Sequence, residues 1–140
     1  MDIDGIRKYC LSLPHATEQV QWGGMLVFKI DKKKMFALLN LEPERDDVLL
    51  FFKATDEEFV TLQEVEGIVP APYMAKNKWV ALEDLNVLPA EELRRLLRTS
   101  YELVFAKLPK KEQARLADSG KRRGKRLVAR DDRRGGAPSG

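Results

Sequence analysis

Residues 25–52 read M-L-V-F-K-I-D-K-K-K-M-F-A-L-L-N-L-E-P-E-R-D-D-V-L-L-F-F, and the fold turns on how they are paired. Over 25–30, Leu26, Phe28 and Ile30 alternate with Met25, Val27 and Lys29, the period-two pattern of a strand. A polar tip at 31–34 leads to a second strand over 35–41, and 42–46 turns the chain into a third over 48–52. Short polar turns between such runs predict an antiparallel meander. The second and third strands are apolar on both sides, more than a few helices cover. Ala37, Leu39, Leu49 and Phe51 are therefore expected on a partly open face bordered by Lys29 and Lys53. Either the inserted helix or a dimer partner covers that face, or it is an interaction platform.

On the N-terminal side, a short strand over 17–21 ends at Trp22-Gly23-Gly24, a turn expected to pack its indole. Ile3, Ile6, Cys10 and Leu13 recur at steps of three and four, which predicts an amphipathic helix capped by Asp2 and stopped by Pro14. On the C-terminal side, Thr55-Asp56-Glu57-Glu58 is a capping box that opens a short helix ending near Gly67. Residues 68–80 then read I-V-P-A-P-Y-M-A-K-N-K-W-V. Pro70 and Pro72 fix φ and remove backbone donors, so this connection is stiff and lies outside any central ladder. A strand over 78–82 follows. Pro89 opens a long helix with Leu93, Leu97, Val104 and Leu108 on one face, and 110–117 adds a turn or two after Pro109. The fold class is α+β: an antiparallel sheet with the N- and C-terminal helices packed on one face and a short inserted helix.

The chain has 140 residues, and the pattern divides it into a domain over 1–117 and a tail over 118–140. The tail is rich in Gly, Arg, Lys and Ser without periodicity, which predicts disorder. It carries eight Lys/Arg against three Asp/Glu, leaving 17 against 19 in the body, so the overall net charge of +3 belongs to the tail. No apolar run approaches the roughly 20 residues of a membrane span. The N-terminus lacks a signal-peptide pattern, and a lone cysteine fits a reducing compartment, so the cytoplasm is the expected location.

Enzymatic motifs are absent from the sequence. His15 is the only histidine and sits just past the helix stop, while Cys10 lies on the buried side of its helix. There is no Gly-rich phosphate loop, paired-cysteine pattern or nucleophile elbow. The expectation is a non-enzymatic protein with no cofactor and no metal.

Certain residues, in their order and spacing, resemble a known family. They are Tyr9-Cys10-Leu11-Ser12-Leu13-Pro14, Glu18 with Trp22-Gly23, Phe28, Phe36-Ala37, Pro70-Ala71-Pro72-Tyr73, and Lys76 with Trp79-Val80. Leu96-Leu97, Ser100-Tyr101 and Leu108-Pro109-Lys110-Lys111 complete the set. The chain thus resembles the MmcQ/YjbR family of small bacterial proteins over about residues 2–115. The resemblance implies a frataxin-like, double-wing α+β fold and a DNA-binding label that rests on shape, with no catalytic residues to carry over. Frataxin-like iron binding is not implied here, because the first helix offers only Asp2 and Asp4 beside Arg7 and Lys8. Trp22, Gly23, Pro70, Pro72, Trp79, Ser100 and Tyr101 are the structural signature.

The candidate contacts are cationic and aromatic. Lys32, Lys33 and Lys34 form a hairpin tip suited to a phosphate backbone, although Asp31, Glu42 and Glu44 are expected nearby to weaken its field. Lys76 and Lys78 would neutralise phosphates beside Tyr73, which either stacks on bases or anchors the loop. Trp79 reads first as a core residue and second as a stacking group. Ser100, on the apolar side of the long helix, is expected to hydrogen-bond back to its preceding turn. In the tail, Lys121, Arg122, Arg123, Lys125 and Arg126 form a basic arm, with Arg130, Arg133 and Arg134 beyond it. The expected function is weak, largely sequence-independent DNA binding through the hairpin, the proline loop and the tail. The alternatives are an adaptor module or homodimer using the sheet face, and a small-ligand site near the 70–79 loop.

Overall fold

A computed structural model describes residues 1–44 and 47–118. The elements run α1 (Ile3–Ser12), β1 (Ala16–Gln21), β2 (Met25–Ile30), β3 (Lys34–Asn40), β4 (Leu50–Lys53), α2 (Asp56–Leu62), β5 (Ile68–Pro70), a 3₁₀ turn (Ala75–Asn77), β6 (Trp79–Leu82) and α3 (Ala90–Ala106). The strands form one antiparallel sheet in the order β1-β2-β3-β4-β6-β5. The mixed α+β fold and the meander are as the sequence predicts, and Pro70 sits on an edge strand, where a missing N–H costs no ladder bond.

Local chemistry fixes the helix starts. Asp2 accepts a hydrogen bond from the Gly5 amide at 2.8 Å, and Thr55 accepts from the Glu58 amide at 3.0 Å. The Glu58 carboxylate meets Arg95 of α3 at 2.9 Å, so the α2 cap is also a tie to α3. Arg7 of α1 grips Glu18 of β1 through Nε at 3.0 Å and through a second guanidinium nitrogen.

One irregularity reassigns the faces of the sheet. β2 and β3 pair Leu26 with Leu39 and Phe28 with Ala37, then slip so that Lys29 meets Met35. Phe36 is the extra residue of this bulge. It packs against Phe28 and edge-on against Tyr101, with ring centroids 6.3 and 5.3 Å away. Ala37 and Leu39 are fully buried and pair with Phe52 and Leu50, not with the face of Leu49 and Phe51. The expected open face of Ala37, Leu39, Leu49 and Phe51 is thus corrected, since two of its four members belong to the core. The opposite side carries Leu38, Phe51 and Ala81 as cross-strand neighbours. There Ala71, Trp79 and Ala81 are buried, with Met35, Val48, Phe51, Val69 and Met74 packed against them, so the proline loop itself covers part of this face.

Ser100 completes the β3–β4 seam. Their ladder ends at Ala37–Phe52. The next carbonyl, of Phe36, accepts from Ser100 Oγ at 2.6 Å, and the next amide, of Lys53, donates to that oxygen at 2.9 Å. The expected bond to its own helix is therefore corrected: Ser100 is fully buried and stitches β3 and β4 together just beyond the end of their ladder.

The contact pattern divides the chain into Met1–Lys107 and a second unit from Leu108 onward. Within the second, a helix over 110–118 (α4) follows Pro109. Gln113 Nε2 donates to the Leu108 carbonyl at 2.7 Å, and Arg115 pairs with Glu112.

Candidate functional site

Strand direction decides which loops are neighbours. The 31–33 turn joins β2 to β3, β4 ends at Lys53, and Lys53 pairs with Trp79, the first residue of β6. Pro70 pairs with Val80, so the 71–78 loop lies at that same end of the sheet. α3 runs toward it too, since Ser100 and Tyr101 bond the Phe36 and Pro14 carbonyls there. Lysines 32, 33 and 34, Lys53, Lys76 and Lys78 therefore converge on one end, with Lys107 close enough to act on Lys53. The acids there include Asp31, Glu102 of α3, which pairs with Arg98, and the first turn of α2 (Asp56, Glu57 and Glu58), the last held by Arg95.

The opposite end is acidic. It gathers Glu42, Glu44 and Asp47 from the β3–β4 connection, Glu66 before β5, and Glu83 and Asp84 after β6. The expectation that Glu42 and Glu44 screen the lysine tip is thus corrected, because they lie a full strand length away. A body with nearly balanced charge thus separates its lysine-bearing loops from a cluster of acids by the length of its strands.

The basic end is stiff. The 31–32 turn closes with the Lys33 amide donating to the Ile30 carbonyl at 2.9 Å, and Asp31 and Lys32 take φ of 51° and 60°, as a type I′ hairpin requires. In the other loop, the Met74 amide donates to Ala71 at 3.1 Å and the Lys78 amide to Ala75 at 2.9 Å. Lys53 secures it from β4: its ammonium donates to the Asn77 carbonyl and the Ala54 amide donates to the Lys78 carbonyl. Burial, aided by the nearby Lys107 charge, lowers the Lys53 pKa.

Backbone strain concentrates at this end. Among the described non-glycine residues, His15, Asp31, Lys32, Tyr73 and Lys78 hold left-handed φ here, and Trp22 alone does so at the other end. Non-glycine residues in that region cost roughly 1–2 kcal/mol each, and such outliers cluster at functional sites.

The individual side chains fall out as follows. Lys32, Lys33, Lys34, Lys76, Pro70 and Pro72 are exposed, and Tyr73 is fully exposed at φ 65°. Lys78 is half-buried with its ammonium 5.2 Å from the centre of the Phe59 ring, a cation–π contact with α2. Trp79 is core. Tyr101 is buried and donates to the Pro14 carbonyl, and burial raises its pKa. Trp22 is 67% exposed beside the exposed Gly23, so its expected packing is corrected: a three-residue tip at the sheet's outer hairpin offers no cover. Lys121, Arg122, Arg123, Lys125 and Arg126 lie outside the described residues. Sequence reading missed Lys53 and Lys107, whose only signal is a cation directly after an apolar strand or helix.

Burial pushes the Cys10 thiol up to about 12, which leaves it protonated and inert at neutral pH. Among the described residues, no group of three or more His, Cys, Asp or Glu is placed to hold a metal ion, and no helix is long and apolar enough to cross a membrane.

The fold has relatives. The crystal structure of a Deinococcus radiodurans protein with the DUF419 domain is similar over 82% of this chain and 87% of that one, at 32% identity and a TM-score of 0.72. A Pseudomonas syringae protein is similar over 74% of this chain and 99% of its own, at 25% identity and a TM-score of 0.60. None of the curated proteins matches. The YjbR family profile matches residues 11–103, two-thirds of the sequence, and the chain belongs to the YjbR family.

Proposed function

We propose that this protein binds DNA weakly and with little sequence preference, through phosphate contacts at the basic end of the sheet, and that it acts by binding and not by catalysis. The observation that carries this reading is the coincidence of exposed lysines and left-handed backbone on two rigid loops at one end, with a cluster of acids at the other. Opposed charge at the two ends orients the body toward a polyanion, basic end first. Lys32, Lys33, Lys34 and Lys76 supply point charges that displace counterions. Tyr73 presents a bare ring on a braced loop for sugar or base contact. Lys53 and Lys78 position the loop from behind. The basic tail adds sequence-independent affinity.

Fluorescence anisotropy of a labelled duplex across a salt series tests this with the full-length chain. Changing Lys32 and Lys34 to Gln removes two phosphate contacts and flattens the log–log salt slope by about 1.8. A second variant, with Lys121, Arg122, Arg123, Lys125 and Arg126 all changed to Gln, weakens binding without abolishing it. Absence of binding at low salt sinks the proposal. Loss of binding only in the tail variant shows that the folded body is not the reader.

A further inference from the structure

The two edges of the sheet are finished differently. β5 is three residues long, ends in Pro70 and is flanked by α2. A short edge strand closed by proline resists pairing with other chains. β1 at the other edge is six residues long, A-T-E-Q-V-Q, with no proline and no lysine. Its one charge, Glu18, is already held by Arg7.

The outward backbone groups of β1 can be assigned. The His15 carbonyl accepts from the Asp31 amide at 2.8 Å, so odd-numbered residues bond to β2 while Glu18 and Val20 direct their backbone groups away from it, as does Ala16, whose amide already donates to the Leu13 carbonyl. Beside this edge runs a groove of about 350 Å³, lined by Ile3, Arg7, Glu18, Val20 and Leu41 among others. Val20 is 58% exposed, and α1 exposes Ile3 and Leu11 on either side of Arg7.

We propose that β1 pairs antiparallel with β1 of a second copy, extending the sheet across a two-fold axis at Gln19. Self-complementarity selects this occupant. About that axis Glu18 faces the partner's Val20, Thr17 faces the partner's Gln21, and Gln19 faces itself, so no like charges face each other across the strands, and the two Arg7 guanidiniums brought together beside the axis are each already held by Glu18. The same axis passes beside the Arg7–Glu18 pair. Ile3 and Leu11 lie four residues before and after Arg7, so Ile3 of one α1 is placed opposite Leu11 of the other. The strand edge and the helix stripe thus share one centre of symmetry.

Gln19 is a bonded partner of β2, so across the new interface it forms a non-bonded pair, with Cα atoms about 4.5 Å apart. That separation is within reach of a disulfide. The test is oxidation of full-length Gln19→Cys, with Thr17→Cys as the control, alongside sedimentation equilibrium of the unmodified chain. Gln19→Cys forms a covalent dimer and Thr17→Cys does not, because Thr17 lies some 13 Å from its own mate at about 3.4 Å per residue. Val20→Lys raises the dissociation constant roughly tenfold or more, about 1.4 kcal/mol per factor of ten. A monomer at all concentrations up to the hundred-micromolar range overturns the proposal. So does a dimer that neither variant cross-links, or one in which both cross-link equally. Nucleic acid is absent from these measurements, so their outcome is independent of the DNA-binding proposal.

Discussion

Phe51 and Phe52 are neighbours in β4 and have opposite surroundings. Phe52 is fully buried under α3, paired with Ala37 and Val80 in the main core. Phe51 lies on the other face, partly exposed, in a small cluster to which the 70–78 connection contributes Ala71 and Met74. The helix face is a deep core, and the loop face is a thin one. The loop that covers the thin core also presents Tyr73 and Lys76, so the same segment supports packing and carries the proposed contacts. In this protein, stability is concentrated on one side of the sheet and the candidate interface at the end of the other.

The sharpest way to break that contrast is to truncate each ring. Phe52→Ala is expected to cost about 3–5 kcal/mol, the range for a fully buried aromatic. Phe51→Ala, on the partly wet face, should cost about half as much, since the transfer loss scales with buried area. Urea denaturation of the two variants measures both. Equal losses would mean that the proline loop closes its face as tightly as the helices close theirs.

Ser100 offers the next largest effect. Ser100→Ala leaves the Phe36 carbonyl and the Lys53 amide without their shared hydroxyl in a fully buried position. An unmade buried hydrogen bond costs roughly 1–3 kcal/mol, so a loss of about 2 kcal/mol is expected in the same denaturation experiment. Hydrogen exchange should speed up at the Lys53 amide and leave β5 unchanged. A loss below about 0.5 kcal/mol would show that water or a shifted strand replaces the hydroxyl.

These two cases show where the sequence was readable. Alternation over 25–30 gives β2 and its inner face directly, and Asp2 and Thr55 cap helices as side-chain chemistry dictates. Periodicity fails at Phe36, because one extra residue in a ladder changes which side chains share a face and leaves no mark in composition. Ser100 was correctly placed on the apolar side of its helix, but its partners are 47 and 64 residues distant and lie where the β3–β4 ladder ends. The charge polarity was hidden for a similar reason. Glu42 and Glu44 follow the lysine tip closely in sequence, yet a strand carries them to the far end of the sheet, while Lys76 is brought to the tip's end from a distance. Trp22 misled because a tryptophan predicts burial by residue type, and a hairpin tip supplies nothing to bury it.

The smallest expected stability change is the most informative about the interface. Tyr73 holds φ 65° with its ring fully in solvent, so it is strained and gains nothing from packing. Tyr73→Gly relieves about 1 kcal/mol of left-handed strain. It also frees the unfolded chain, at roughly 0.5–1 kcal/mol. The two nearly cancel, and the melting temperature should move by no more than a couple of degrees. DNA affinity should nevertheless fall several-fold through the lost ring, and Tyr73→Phe should keep most of it, because stacking uses the π face. A Tyr73→Gly variant that melts several degrees lower would make the ring part of the thin core. One that binds DNA as tightly as the parent would move the contact surface off this loop and onto the 31–34 tip.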